Sequence, residues 1–545
     1  PAAAEAPLRA PAPAPAPAPM QAPAPAPREA ADAAAAPEAE LVGPPAAPDE
    51  AARDSAAAAA FPEVLETLEQ TDLGDDRVLS EPEAALERAR PSAAASAAGV
   101  ISAPAALSDT IVPRRDRSAL RMSTDPLTGD GIAAGGTILT PRSGAVGYAL
   151  VAVGAGRLLA QRGLDDALIP ASLAKTPTAL YALASLGPSH RFETVLAADG
   201  RISGGRLRGD LYLIGGGDPS LDTGDLADLA KALKGLGVNE VSGAFHYDGR
   251  SLVRGAPQIA PSQPVQAAYN PAVSGLNLNY NRVLMKWRRQ KDRSYAFDMR
   301  AHSARWSAPA KTVRAGLKAN TRDGVFGYAR GQGVETWTVA RKALGRRGQR
   351  WFPVQEPAAY AAATLRAVAA ELGVTLPEPT PRDAPPGMRR LAAHQSAPLV
   401  KILKRMMKFS TNLTAEAVGL AASRARGLPR PSLSQSADLM SAWMTRAYGL
   451  APGSARFVNH SGLTSDSRVT PRALAQMLAA AGAEPASFKL VDGLLAPYRF
   501  KGMPKSATVR AKTGTMFYGR GLSGYVTCKK SSKRLAFAYL HSDVP

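Results

Sequence analysis

The sequence predicts a mixed α/β (α+β) fold on three observations: strand-like hairpins near both ends of its globular part, helical stretches with start and stop signals between them, and no long apolar run. The first hairpin is YALVAVGAGRLLAQRG at 148–163, in which aliphatic and β-branched residues flank a Gly-Ala-Gly turn. Directly after it, PASLAKTPTALYALASLG at 170–187 has a proline at its head, a glycine at its end and good helix formers between, which predicts a helix. Pro177 is tolerated only in a first turn, so Ser172 is expected at or near the helix N-terminus. There it would meet exposed N–H groups and the positive end of the helix dipole. Helical patterning returns over 397–425, divided by Ser410-Thr411-Asn412, a step whose residue types suit the cap of the second stretch. The chain closes with a second hairpin over 521–543, in which KKSSK forms the turn.

Composition narrows the function. Cys528 is the only cysteine of 545 residues, which excludes an intramolecular disulfide and a cysteine-built metal site. The six histidines are scattered without metal-ligand spacing, so no metal and no cofactor is expected. No run of 18 apolar residues offers a transmembrane segment. The chain begins PAAAEAPLRA without a charged-then-apolar signal region, as after processing of an export signal or after fragmentation.

Charge is unevenly spread: residues 1–107 hold 6 Lys+Arg against 17 Asp+Glu, net −11, and the rest 60 against 29, net +31. The first segment is an acidic Ala/Pro-rich tail, read as a disordered, polyproline-like linker with one short amphipathic stretch at 61–70. The basic remainder should accumulate polyanions, nucleic acid or anionic envelope polymers among them. KWRRQKDR at 286–293 has no RNA-binding aromatic signature with it and reads as a solvated face. GGG at 215–217 lacks the G-K-[ST] ending of a phosphate loop and reads as a tight turn between strands.

Three short motifs carry the chemistry. Ser172 and Lys175 form the only S-x-x-K, Ser410 to Asn412 the only S-x-N, and Lys512-Thr513-Gly514 the only K-T-G, in that order. The ordered set is that of penicillin-binding proteins and class A β-lactamases. A serine hydroxyl is a weak nucleophile until a base takes its proton, and without a plausible Ser-His-Asp set the base at hand is lysine. Three residues along a helix bring the Lys175 amine over Ser172. Deprotonation near neutrality requires roughly 4 kcal/mol of environmental bias, supplied by burial and by a second cation, Lys512. Ser410 would relay the proton to the leaving amine, Lys512 and Thr513 would anchor a terminal carboxylate, and Asn412 would hold the substrate amide.

From about residue 140 to its end the chain resembles the low-molecular-mass penicillin-binding proteins of the D-alanyl-D-alanine carboxypeptidase and endopeptidase family, peptidase family S13. The resemblance includes LIGGGDPSL at 213–221, YNPAVSGLNLNYN at 269–281, LKRMMKFSTNLTAEAV at 403–418, SGLTSDSRVTPRALAQML at 461–478 and AKTGTMFYGRGLSGYV at 511–526. It implies a β-lactamase/transpeptidase-like domain, a five-stranded antiparallel sheet with flanking helices, interrupted by inserted smaller domains. On this chain the parts would be 108–196 and 391–545 for that domain and 197–390 for the insertions. Ser172 becomes the acylated nucleophile, Lys175 its base, and Ser410 and Asn412 the second element. Lys512, Thr513 and Gly514 lie on an edge strand, and the N–H groups of Ser172 and Thr515 form the oxyanion hole.

The resemblance further implies a periplasmic enzyme whose partners are peptidoglycan stem peptides and β-lactam antibiotics, with nucleic acid excluded. Thr411 stands where the family's middle aspartate is common, and Asn459-His460 where Asp-Gly is frequent. Glu416 and His460 are read as structural. A β-lactamase or esterase using the same serine, and a catalytically idle cell-wall binding protein, are the competing readings.

Overall fold

The computed structural model describes residues 144–543, except 256, 320–323, 501–502, 517 and 532; the acidic tail and its 61–70 stretch lie outside the described residues. The N-terminal hairpin is β1 (Ala145–Ala152) and β2 (Leu158–Arg162). Near the other end, β3 (Ala496–Tyr498) precedes β4 (Ala507–Met516), β5 (Gly519–Cys528) and β6 (Arg534–Ser542). They form one six-stranded antiparallel sheet in the order β2-β1-β6-β5-β4-β3. The sheet has one strand more than the five that the resemblance implies. The sixth, β3, has three residues with Pro497 at its centre, a residue tolerated only where no further strand needs its N–H.

Side-chain alternation gives the sheet two apolar faces. Ala149 and Val151 of β1, with Ala536, Ala538 and Leu540 of β6, face the main helical core. Leu150, Leu535, Phe537 and Val509 cluster on the other side. Into the main core pack α1 (Lys175–Leu186), α2 (Leu399–Phe409), α3 (Asn412–Ala425), α4 (Leu433–Ala447) and α5 (Pro471–Ala481). The helix expected over 170–187 begins as a 3-10 turn, Ala171–Ala174, and Pro177 falls in the first turn of α1 proper, where its missing N–H costs nothing. Gly187 ends α1 at φ 81°.

A second hydrophobic core is built by the segment between α1 and α2. It holds a five-stranded sheet in the order Pro379–Pro381, Phe245–Asp248, Leu211–Gly215, Glu193–Ala198, Arg389–Gln395, and the helices Thr223–Gly235 and Pro357–Glu371. The strands Glu193–Ala198 and Arg389–Gln395 pair with each other across the places where the insertions were expected to begin and end. A four-stranded sheet, Ser307–Pro309, Tyr295–His302, Arg282–Arg289 and Arg347–Pro353, and two smaller three-stranded ones complete this region among the described residues.

The glycine triplet corrects its expectation. It leads from the strand Leu211–Gly215 into a loop and then the Asp222-capped helix Thr223–Gly235, and does not turn between strands. Its glycines are needed for close approach: a Cβ on Gly215 would lie 2.4 Å from the Gly275 carbonyl oxygen and one on Gly216 2.3 Å from that of Glu193.

Candidate active site

Ser172 sits in the 3-10 turn, half-buried, and Lys175 opens α1 directly behind it. Ala171 holds a left-handed φ of 46°, a conformation that costs a non-glycine residue about 1–2 kcal/mol. Two close backbone approaches fix the turn in that shape. A Cβ on Gly462 would lie 1.8 Å from the Ala171 carbonyl oxygen, and one on Gly514 of β4 would lie 2.9 Å from that of Pro170. Glycine is therefore the residue that lets the 461–463 loop and the K-T-G strand press on the turn that carries Ser172.

Lys175 is 0% exposed, and its Nζ lies 2.9 Å from Ser172 Oγ, 2.8 Å from Asn412 Oδ1 and 2.8 Å from the Ser461 carbonyl oxygen. Burial first, and the Lys512 cation second, hold its pKa well below the ordinary 10.5, against a smaller opposing pull from Glu416. The two carbonyl oxygens can only accept, so they take the two N–H bonds of a neutral amine. The third contact runs from Nζ to Ser172 Oγ, the direction in which a neutral amine would turn its lone pair. Burial and the neighbouring Lys512 cation both shift the balance toward the neutral amine.

Asn412 owes its place to α3, of which it is the first residue, and its Nδ2 donates to the Tyr269 carbonyl oxygen at 2.9 Å. Ser410 is the left-handed C-cap of α2 at φ 53°, and its hydroxyl makes no hydrogen bond to Ser172, Lys175 or Asn412 among the described residues. The cap of α3 is Thr411, whose Oγ1 bonds Thr414 Oγ1 instead of a backbone N–H, so the Ser-Thr-Asn step breaks the helices by backbone shape, not by side-chain capping. Lys512 is buried on β4 and donates to the Thr513 carbonyl oxygen at 2.6 Å; Gly514 is buried and Thr515 exposed.

Glu416, Ser461 and Tyr269 are part of the site without having been expected there. Glu416 is 0% exposed in the middle of α3 and accepts from the N–H groups of His460 at 3.1 Å and Ser461 at 2.8 Å. That clamp aims the Ser461 carbonyl at Lys175. Burial raises the Glu416 pKa while those N–H bonds oppose the rise. The one available signal was an acid placed inside TAEAVGLAA, an otherwise apolar run. His460 lies in the core, Nε2 2.7 Å from Ser436 Oγ, with its pKa pushed down to about 3 by burial. The ring fits because residue 419 is glycine, where a Cβ would stand 2.2 Å from it. Among the described residues no group of three or more His, Cys, Asp or Glu is placed to hold a metal ion, and no helix is long and apolar enough to cross a membrane.

This sheet, with a serine and a buried lysine at the head of a central helix, is a transpeptidase-like fold. It resembles crystalline penicillin binding protein 4 from Haemophilus influenzae with a TM-score of 0.62 at 21% identity, over 74% of this chain and 92% of that one. The D-Ala-D-Ala carboxypeptidase 3 (S13) family model matches residues 137–544, and the chain belongs to that family. The D-alanyl-D-alanine carboxypeptidase DacB of Haemophilus influenzae is 24% identical over 434 residues, 72% of this chain and 84% of that protein. The D-alanyl-D-alanine carboxypeptidase of Actinomadura sp. strain R39 is 30% identical over 417 residues, 70% of this chain and 74% of that one.

Proposed function

We propose that Ser172 is the acylated nucleophile of this serine-type D-Ala-D-Ala carboxypeptidase and that Lys175 is its general base. The observation that carries the assignment is the Lys175 amine, enclosed by two acceptors and turned toward Ser172 Oγ at 2.9 Å. Ser172 Oγ attacks the carbonyl of the penultimate D-alanine of a stem peptide, and its proton passes to Lys175. The C–N bond then breaks, Ser410 relays a proton to the departing D-alanine amine, and water hydrolyses the ester. Cutting a D-alanyl cross-link is the same acyl transfer with a larger leaving amine. The oxyanion hole is assigned to the N–H groups of Ser172 and Thr515, each such donor being worth about 10²–10³ in rate.

Among the described residues β3 pairs with residues 509–511 of β4, and an extended peptide adds as a strand beside residues 512–516. Lys512 and Thr513 anchor its terminal carboxylate, and Asn412 holds its amide. β-Lactams acylate the same serine as mimics of the dipeptide. Haemophilus penicillin binding protein 4 is also known in complex with a β-lactam. Glu416 spends both oxygens on backbone N–H groups and is not free to activate a deacylating water, which disfavours a fast β-lactamase.

The partners are peptidoglycan and β-lactams and the setting is the bacterial envelope, with the periplasm as its compartment. The organisation proposed with this reading is a catalytic domain in two parts, 108–196 and 391–545, accessory domains over 197–390, and a linker over 1–107. The test is release of D-alanine from a synthetic pentapeptide ending in D-Ala-D-Ala. The wild-type protein should release it and Ser172→Ala should not; release by Ser172→Ala at the wild-type rate would sink the assignment.

A further inference from the structure

The insertion is rich in positive charge. Residues 282–353 contain 18 Lys+Arg against 4 Asp+Glu, net +14. On the four-stranded sheet, Val283, Met285 and Trp287 point into the core, so Lys286 and Arg288 point outward and are exposed. Across the ladder Arg288 stands opposite Arg347, a like-charge pair that costs stability without a counterion. Asp298, opposite Lys286, is the one carboxylate on this face of the three central strands.

A second basic strip starts at the site itself. Helix α2 ends at Ser410, and its exposed face consists of Lys401, Lys404, Arg405, Lys408 and Phe409, with no acidic residue anywhere in the helix. None of Lys286, Arg288, Arg347 and the four α2 cations has a carboxylate partner among the described residues. Side-chain contacts join the two strips. Arg405 Nη2 is 3.4 Å from Tyr280 Oη, the Arg282 guanidinium lies over both Tyr280 and Trp351 at 5.3 and 5.4 Å, and Trp351 is on the outward face of the sheet. Arg282 is largely buried, yet its Nε lacks a hydrogen-bond partner, as does Nδ1 of His302, whose ring is 6.2 Å from Trp351. The Arg282 Nε–H is thus a donor that the protein itself leaves unsatisfied.

We infer that α2 and the outward face of the 282–353 sheet form one continuous basic track that binds the carboxylate-bearing peptidoglycan polymer and leads it to Ser172. The occupant follows from chemistry. A cross-linked wall presents carboxylates repeatedly along its peptides, and the arms of the track carry cations over roughly 10 Å of helix, Lys401 to Lys408, and roughly 20 Å of strand, Arg282 to Arg288. The inference rests on the stem-peptide reading of the active site, and a soluble peptide too short to reach the track would not sense it.

The test compares the wild-type protein with Lys401→Gln/Lys404→Gln/Arg288→Gln/Arg347→Gln in co-sedimentation with purified peptidoglycan sacculi over a salt series. Both are first matched for stoichiometric labelling by penicillin, so that loss of the site reading shows as failed labelling and is separated from loss of the track. A control removes four exposed charges elsewhere, Arg201→Gln/Arg206→Gln/Lys529→Gln/Lys530→Gln. The track variant should bind sacculi at least about tenfold more weakly and with a shallower salt dependence, because fewer counterions are exchanged. Equal weakening of the control, unchanged binding of the track variant, or tighter wild-type binding to duplex DNA than to sacculi at the same salt would each overturn the inference.

Discussion

Two buried glutamates use one device for different ends. Glu335, in the insertion, is 1% exposed and accepts from the consecutive N–H groups of Gln355 and Glu356, both at 2.9 Å. Glu416, in the catalytic region, is 0% exposed and accepts from the consecutive N–H groups of His460 and Ser461. Each is a carboxylate whose burial is offset by fixed dipoles, and burial raises the pKa of each. Glu335 has Tyr328 as its third neighbour and closes a strand onto a loop. Glu416 instead positions the carbonyl that accepts from Lys175 and lies close enough to act on that amine's charge. The same clamp is a fastener in one place and in the other positions the carbonyl that meets the Lys175 amine.

The comparison can be broken at several strengths. The largest effect belongs to the amine that Glu416 serves: Lys175→Ala should slow acylation by penicillin about 10³-fold in stopped-flow measurements, in keeping with loss of a positioned base. Next is Gly462→Ala, which drives a methyl group into the Ala171 carbonyl. The turn bearing Ser172 must move, and acylation should fall on the order of 10²-fold while the far-ultraviolet circular dichroism stays that of a folded chain. Third, Glu416→Gln and Glu335→Gln should each lower unfolding free energy by about 1–3 kcal/mol in urea titrations, because an amide NH₂ is turned against a backbone N–H.

The smallest effect separates the two glutamates most cleanly. With Lys175 as the proposed base, acylation requires its neutral form, so the rate should rise with pH through the lysine pKa, which lies well below 10.5. Glu416 favours the charged amine, so Glu416→Gln lowers that pKa and moves the acid limb of the pH–rate profile to lower pH. Glu335→Gln should leave the limb where it is. A shift to higher pH, or equal shifts in both variants, would show that Glu416 has no special relation to the base.

What could be read in the sequence was what is local. Three motifs, each within four residues, were legible because spacing along one turn or strand is itself a sequence pattern, and the fold brings Lys175 to both Ser172 and Asn412. Alternation and Gly/Pro punctuation revealed both hairpins of the main sheet and the helix from 170 to 187. Strand β3 was hidden, since three residues around Pro497 carry no period. Glu416 was hidden as well: its partners lie 44 and 45 residues away, and only the fold brings them together. The left-handed Ser410 looked like a cap because capping and catalysis draw on the same residue types. In the glycine triplet, close approach to distant backbone was mistaken for a turn, since both requirements select residues without a side chain.

The central claim is that Ser172, activated by Lys175, carries the acyl group. It is tested most directly by intact-mass analysis after penicillin treatment, followed by peptide mapping. One penicillin per chain, located on the peptide containing Ser172 and absent from Ser172→Ala, is the expected result. An adduct on any other serine, or undiminished labelling of Ser172→Ala, would contradict it.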